Sequence, residues 1–448
     1  MTGDVRIDAA VSVDAVARQV RDEVADRLSD LARQRSSEGA VPLSPSERRL
    51  LGTQLIEQAL DARAQRVLAG GGQVWTQAEE EQISRVVTDA LFGMGGLQPL
   101  LDDAQVENIN VNGCDRVFVR YADGNRASLA PVASSDAELV ELVRALAARA
   151  GVQERRFDRG SPRLNLQLPD GSRLFAVMAV TGRPCLSIRR HRFPLVHLSQ
   201  LRLAGMIDAR LESLLAAAVR ARRNIVVAGG TGIGKTTLLR GLASAIPAQE
   251  RLVTIEDALE LGLDRNPAAH PDVVAMQARE PNTEGEGEIT QAELVRWALR
   301  MSPDRVIVGE VRGPEVVPMC NAMSQGNDGS MATVHSSTSR GVFTRLATYA
   351  VQAPERLPLE AVNLLVASAV HLVVHLAWAS DGRRVVSSVR EVVDADGAHV
   401  VSNEVFRPRP DHRGEPAAPL RTDTVDDLAA HGFDPDLLAD PAAGWTPC

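Results

Sequence analysis

A glycine-rich stretch at residues 229–237, with the sequence GGTGIGKTT, contains the only lysine of the chain. It matches the pattern G-x-x-x-x-G-K-[ST], whose backbone N–H groups surround phosphates, whose lysine reaches the β and γ oxygens and whose hydroxyl binds Mg²⁺. The residues that match are Gly229, Gly234, Lys235 and Thr236. The residues predicted to bind a nucleotide, with ATP as the expected ligand, are Gly230, Thr231, Gly232, Ile233, Gly234, Lys235, Thr236 and Thr237.

Lys235 is an exception in a chain of 49 basic residues that are otherwise all arginine. A coding bias toward arginine explains the missing lysines, because arginine replaces lysine on solvated surfaces, but it does not explain the one that is kept. An ammonium is a compact point charge, whereas a guanidinium is a planar fork. The exception therefore indicates a tight site that needs the smaller cation.

Polar residues follow strand-like apolar runs on both sides of this loop in the sequence. The runs are 225–228, 252–255, 306–308 and 330–334, and the residues that follow include Glu256, Glu310 and His335. The carboxyl ends of strands in a parallel α/β sheet meet at one edge, where ligands bind. We therefore expect these side chains to converge on the phosphates held by the loop.

Hydrolysis of a γ-phosphate needs a metal ion to neutralise charge and a carboxylate to position or deprotonate the attacking water. Glu310 and Glu256 are the predicted catalytic carboxylates, and Glu310 with Thr236 is predicted to bind Mg²⁺. His335 is predicted to sense the γ-phosphate or orient the water. Taken alone, each carboxylate also fits a loop residue or helix cap, and the histidine also fits a structural, hydrogen-bonded residue.

The elements around the loop have the order that this chemistry requires. Residues 224–228 form a short apolar run typical of a buried parallel strand, and Leu238, Leu239, Leu242 and Ile246 have helical spacing. A helix that begins at the loop directs its partial positive charge toward a bound phosphate. We expect an α/β fold of the RecA-like P-loop class with a parallel sheet.

Composition narrows the function classes. The net charge is −9, the pI is near 5.6 and aromatic residues make up only 3% of the chain. A nucleic-acid motor needs a basic or aromatic lining, so we expect no nucleic-acid partner. The four cysteines form no C-x-x-C pair, and neither an export signal nor a spanning helix is recognisable. These features predict a cytoplasmic protein.

The chain is predicted to contain three folded regions. These are an N-terminal helical module at 1–95, an α+β domain at 96–190 and the P-loop domain at 206–395, with a linker at 191–205 and a Pro- and Asp-rich, loosely ordered tail at 396–448 that holds at most one short helix near 425–430. Capping boxes at Ser44–Glu47 and Thr76–Glu79 mark two helix starts. Strands are predicted at 106–111 and 117–121, and Pro169-Asp170-Gly171 predicts a hairpin turn.

Residues from about 97 to 395 resemble the secretion-type traffic ATPases, which power type II secretion, type IV pili and type IV secretion, and most closely the tight-adherence pilus assembly ATPases. The resemblance rests on four motifs in the P-loop domain and three in the domain before it. The motifs are GGTGIGKTT, VTIEDALEL, MSPDRVIVGEVRGPE and GNDGSMATVH, and before them VNGCDRVFV, SPRLNLQLPDGSR and LSIRRH.

The resemblance implies a Mg²⁺-dependent ATPase that assembles as a homo-oligomer, in this family a hexamer. It also implies work at the cytoplasmic face of a membrane, through a platform protein of a pilus or secretion machine. Glu256 matches the carboxylate of the family's Asp box, and Glu310 matches the carboxylate of its Walker B motif. His335 matches the histidine of its His box. Arg163, Arg173 and Arg189 match arginines that contact the nucleotide, although each also fits a solvated surface charge.

Other functions stay open at this point. A type IV secretion ATPase is the alternative to a pilus or type II-like motor, and a RecA-type nucleic-acid motor would share the P-loop and the ring. A nucleotide-dependent scaffold without turnover is a different class of function, and steady-state phosphate release separates it from an ATPase.

Overall fold

The computed structural model describes residues 13–149, 156–168, 170–190, 196–279, 281 and 285–445. The chain divides into two compact units, Met1–Arg190 and His191–Cys448.

The first unit begins with three long helices that bury one apolar stripe each. They are α1 (Val13–Ser37), α2 (Pro45–Ala69) and α3 (Gln77–Phe92). Ser44 and Thr76 cap α2 and α3, each with the reciprocal bond to a glutamate three residues later, so both predicted capping boxes are confirmed. Val20, Val24 and Ile56 are completely buried between the helices.

A six-stranded antiparallel sheet follows, with strand order β3-β2-β1-β6-β5-β4. Its strands are β1 (Val106–Asn112), β2 (Val117–Tyr121), β3 (Arg126–Leu129), β4 (Arg163–Gln167), β5 (Arg173–Val177) and β6 (Cys185–Arg189). Helices α4 (Gln98–Asp102) and α5 (Asp136–Arg149) accompany them. The strands predicted at 106–111 and 117–121 are confirmed, and β4 and β5 form the predicted hairpin; Pro169 of its turn lies outside the described residues.

The second unit contains a nine-stranded sheet with the order β15-β14-β13-β12-β7-β11-β10-β8-β9. The six strands from β12 to β9 in that order run parallel and carry the P-loop; they are β7 (Ile225–Gly229), β8 (Leu252–Glu256), β9 (Val273–Gln277), β10 (Arg305–Val311), β11 (Met331–His335) and β12 (Leu372–Trp378). The predicted α/β class with a parallel sheet is confirmed.

Helices cover both faces of the parallel sheet. They are α6 (Leu198–Leu203), α7 (Ala209–Arg220), α8 (Lys235–Ala243), α9 (Gln291–Ala298), α10 (Val316–Ser324), α11 (Gly341–Gln352) and α12 (Leu359–Ala369). Alternate residues of β7 enter different cores: Ile225 and Val227 pack with α7 and α8, while Val226 packs with α10 to α12. This burial on both faces is the reason that β7 is apolar without interruption.

Two expectations about the edges of this unit were wrong. Residues 198–203 of the predicted linker form α6, whose Leu198 and Leu201 are buried in the core. The C-terminal segment is folded, with β13 (Arg384–Ala395), β14 (Val400–Pro408), β15 (Gly414–Pro416) and α13 (Thr422–Ala430). Phe406 and Leu428 are completely buried, so long-range pairing and burial order a segment whose composition indicated a tail.

The side chain of Asn224, just before β7, forms hydrogen bonds to α10, to α12 and to the segment that leads into β11. Its side-chain amide donates to the carbonyl oxygens of Met323 and Ala369, each at 2.7 Å. Its Oδ1 accepts from the backbone N–H groups of Gly329 at 2.8 Å and Ser330 at 3.0 Å. Asn224 is completely buried, so its orientation is fixed by donors on one side and acceptors on the other.

We expect Asn224→Asp to destabilise the second unit by at least about 2 kcal/mol, because a carboxylate oxygen would replace the amide nitrogen that faces two carbonyl oxygens. Chemical denaturation followed by circular dichroism measures the change. Asn266→Asp, at a partly exposed loop residue of the same unit, is the matched control and should change stability little. Equal effects of the two substitutions would contradict this role for Asn224.

Candidate nucleotide site

The P-loop connects β7 to α8 through a backbone path that needs glycine at two points. Gly234 has φ +100°, and Gly229 has φ +154°. A Cβ atom at Gly229 would lie 2.9 Å from the carbonyl oxygen of Leu376 on the neighbouring strand β12. The glycines therefore let the loop turn tightly against the sheet.

The first turn of α8 faces the loop without a side-chain cap. Gly234 is the N-cap residue and has no side chain to accept from the N–H groups of that turn, whereas Asp208 caps α7 and Thr290 caps α9 in the same unit. Free N–H groups at a helix N-terminus, together with the helix dipole, favour a bound anion. The local backbone thus fits the predicted phosphate site.

Lys235 is the first residue of α8 and is 8% exposed. Its Nζ donates to the carbonyl oxygens of Gly229 at 3.3 Å and Gly230 at 3.0 Å. It also lies 3.2 Å from Nδ1 of His335. The ammonium is therefore enclosed by its own loop and the end of β11, a volume suited to a point charge.

His335 connects Lys235 to Glu310. Nε2 of His335 lies 2.5 Å from Oε1 of Glu310. Burial lowers the pKa of His335, with the nearby Lys235 acting in the same direction and Glu310 opposing it, so the ring is neutral at neutral pH. Oε1 of Glu310 has no hydrogen-bond partner among the described residues, so its contact with His335 is a close approach of the two groups. Nζ of Lys235 lies almost equally far from the two ring nitrogens, 3.2 Å from Nδ1 and 3.3 Å from Nε2.

A bulge in β10 lies where Glu310 leaves the sheet. The pairing of β10 with β11 shifts register between Val308 and Val311, and Thr333 of β11 donates to the carbonyl oxygen of Gly309 at 2.6 Å. A bulge changes the direction of the side chains around it. The predicted convergence of strand ends thus brings together Lys235, Glu310 and His335.

Arg312 is a residue of this site that the sequence analysis missed. Its guanidinium donates to Oε2 of Glu310 and to Oδ2 of Asp257, the latter at 2.8 Å. Gln291 also donates to Asp257, at 2.5 Å. Arg312 therefore joins the ends of β10 and β8, and the position of Arg312 two residues after Glu310 is the signal that could have indicated it.

Glu256 lies at the end of β8, as predicted, but its carboxylate serves the following loop. The side chain is 3% exposed, and Oε2 accepts from the backbone N–H groups of Glu260 at 2.7 Å and Leu261 at 2.8 Å. The neighbouring Asp257 is the carboxylate that connects to Glu310 through Arg312. Alternation of side chains along a strand places consecutive residues on opposite faces.

The residues at this edge also fit a magnesium ion. Mg²⁺ commonly binds one or two carboxylates together with substrate phosphates and waters, rather than a cage of protein ligands. No cluster of three or more histidine, cysteine or acidic side chains suited to a metal occurs among the described residues. Glu310 and Thr236, the residue after Lys235, carry oxygen ligands of this kind and are the residues that would hold the ion.

Arg163, Arg173 and Arg189 lie in the sheet of the first unit. Arg173 and Arg189 are paired residues of β5 and β6, and Arg163 begins β4. Two further arginines extend the row on the same sheet, since Arg120 pairs with Arg126 across β2 and β3. The row of residues in register across the sheet contains Arg126, Arg120, Arg189 and Arg173, with Asn108 between Arg120 and Arg189. Arg163 lies outside this row because it pairs with Val177 at the other end of β4. The sequence analysis named two of the four arginines, because the row exists only once the strands are in register.

A family model described as "Type II/IV secretion system protein" matches residues 93–409. The chain is 38% identical over 321 residues to the "Putative conjugal transfer protein" of Mycobacterium tuberculosis, covering 70% of this chain and 88% of that protein. It is 31% identical over 313 residues to the type IV secretion system protein VirB11 of Brucella suis, covering 64% and 84%. The crystal structure of the Brucella suis VirB11 ATPase in complex with sulphate is 31% identical, with 70% of this chain and 96% of that chain covered and a TM-score of 0.37.

Burial of Glu256 generates a prediction about pH. Desolvation raises the pKa of Glu256 from its ordinary value of 4.5 to about 7, against the two backbone N–H groups that lower it. The folded state then binds more protons than the unfolded state between these values, so this carboxyl reduces stability as pH rises from about 5 to about 7. Glu256→Gln removes the effect and should gain up to roughly 3 kcal/mol relative to wild type between pH 5 and pH 8.

Thermal or urea unfolding of both proteins across that pH range measures the difference. The exposed Glu288→Gln is the control and should show no comparable pH dependence. A stability difference between Glu256→Gln and wild type that stays constant from pH 5 to pH 8 would show that the Glu256 carboxyl does not titrate in this range.

Proposed function

We propose that this chain, which belongs to the type II/IV secretion system protein family, is a secretion ATPase. Its hydrolytic centre consists of Lys235, His335 and Glu310 beside the P-loop. The observation that carries the proposal is the series of close polar contacts from Lys235 through His335 to Glu310, at the start of α8. A phosphate-binding backbone, a cation and a carboxylate at one sheet edge are the parts that phosphoryl transfer to water requires.

Each residue has a distinct part in this proposal. Lys235 exchanges the carbonyl oxygens of Gly229 and Gly230 for the β and γ oxygens of ATP. Glu310 orients the attacking water and accepts its proton, while His335 and Arg312 fix the direction of its carboxylate. Because Lys235 and Glu310 both contact His335, binding of the phosphates is communicated to the carboxylate that acts on water.

We propose that magnesium binds together with the nucleotide, between its phosphates and the protein. Thr236 and Glu310 would hold Mg²⁺, whose charge neutralises the phosphate oxygens when it is bound. Glu256 supports the site indirectly. Its carboxylate accepts a backbone hydrogen bond from Glu260 and so orders the loop that follows Asp257. Asp257 in turn accepts a hydrogen bond from Arg312. We therefore propose a structural role for Glu256 beside the catalytic one that the family resemblance implies.

The machine that this ATPase serves is proposed from its relatives. A conjugal transfer protein and a type IV secretion protein are among them, so a type IV secretion or conjugation machine fits, as does a pilus motor of the same family. We propose a homo-oligomer, a hexamer in keeping with the family resemblance, that acts on an inner-membrane platform protein. The closer resemblance to tight-adherence pilus ATPases stays a prediction. No described helix has the length and apolarity to span a membrane.

The arginines of the first unit complete the proposal. Arg163, Arg173 and Arg189 would supply guanidinium groups to the triphosphate, where charge that develops on the γ oxygens is best met by cations. Their common place on one sheet supports a joint role, and the contact with nucleotide stays a prediction.

Lys235→Ala should abolish Mg²⁺-dependent ATP turnover, and Lys235→Arg should fail as well, because the wider guanidinium does not fit between the loop carbonyls and His335. Phosphate release at steady state measures both. Arg300→Lys, an exposed exchange of the same two residue types in reverse, is the control and should retain wild-type turnover. Near-normal turnover of Lys235→Arg would overturn the explanation of the solitary lysine.

A further inference from the structure

Trp378 lies exposed at the sheet edge that carries the P-loop. Strand β12 runs parallel to β7 with Leu376 opposite Gly229, so the end of β12 reaches the same edge two residues later. Trp378 is 48% exposed there. The half-exposed indole is therefore accessible to a ligand that binds at this edge of the sheet.

Arg384 connects this tryptophan to the P-loop. Arg384 pairs with Trp378 across the β12–β13 hairpin, and its guanidinium carbon lies 5.3 Å from the centre of the indole ring. A Cβ atom at Gly234 would lie 3.5 Å from Cδ of Arg384 and 3.3 Å from Cε of Met206. The stem of Arg384 therefore packs against the last glycine of the loop, with the indole next to it.

The strand order indicates on which side of the P-loop the nucleoside of a bound nucleotide would lie. The hydrolytic groups follow β11 and β10, which lie on one side of β7, whereas β12 lies on the other. A triphosphate with its γ end toward Glu310 and His335 extends its α end away from them. Base and ribose then come toward β12 and the hairpin that carries Trp378 and Arg384.

We propose that Trp378 stacks on the base of the nucleotide and that Arg384 positions the indole for this contact. This inference rests on the proposed function, since it needs phosphates in the P-loop. Stacking on an aromatic ring is favourable for any base, so Trp378 would add affinity for nucleosides more than a choice among them. Arg384 covers part of the ring by a cation–π contact and holds its angle.

The test compares ATP with inorganic triphosphate, which shares the phosphates and lacks the nucleoside. Binding of each to the full chain is measured by titration calorimetry at one Mg²⁺ concentration, in a Glu310→Gln background that limits hydrolysis. Trp378→Ala should weaken ATP binding at least about fivefold and leave triphosphate binding within about twofold. Trp378→Phe should recover most of the lost ATP affinity, since a phenyl ring still stacks.

Trp297→Ala is the matched control, because Trp297 is exposed to a similar extent, 46%, but lies on α9. It should bind both ligands like the parent protein. ATP binding unchanged by Trp378→Ala, or ATP and triphosphate weakened equally, would overturn the stacking role. Lys235→Ala separates the premise from the inference: if it weakens neither ligand, the P-loop assignment fails and the inference fails with it.

Discussion

The parallel pairing of β7 with β11 on one side and β12 on the other determines where the proposed functional groups of the second unit lie. Gly229, the last residue of β7, pairs with His335 of β11 on one side and with Leu376 of β12 on the other. The P-loop therefore leaves the sheet between the proposed hydrolytic residues and the β12–β13 hairpin. Parallel strands place all of their carboxyl ends at one edge. Asn224 secures this arrangement from the other end of β7, because its side chain binds both the approach to β11 and the end of α12.

The site itself is a chain of polar contacts that crosses four strands. Lys235, after β7, contacts His335 at the end of β11, and His335 contacts Glu310 of β10. Arg312 then connects Glu310 to Asp257, which follows β8. A positive, a neutral and a negative group follow one another from Lys235 to Glu310, each within 3.2 Å of the next. A ligand that moves Lys235 therefore changes the partners of Glu310 through a single histidine, which gives a physical route from phosphate binding to water activation.

Features set by local sequence could be predicted, and features set by register could not. The glycine pattern, the capping boxes and the apolar runs before Glu310 and His335 are local, and the structure contains them. The inward turn of Glu256 and the bridge made by Arg312 depend on the face of β8 and on a bulge in β10, which no periodicity shows. The C-terminal segment was misjudged because a Pro- and Asp-rich composition resembles a tail until β13 pairs with β14.

The account depends most on Glu310 as the group that activates water, and its amide variant tests that claim directly. ATP binding and steady-state phosphate release are measured on the full chain, on Glu310→Gln and on the exposed control Glu360→Gln. The account predicts that Glu310→Gln binds ATP about as well as wild type and turns it over at less than about a tenth of the rate, a barrier increase above ~1.4 kcal/mol. If Glu310→Gln binds ATP normally and keeps more than about a tenth of the wild-type turnover rate, Glu310 is not the group that activates water.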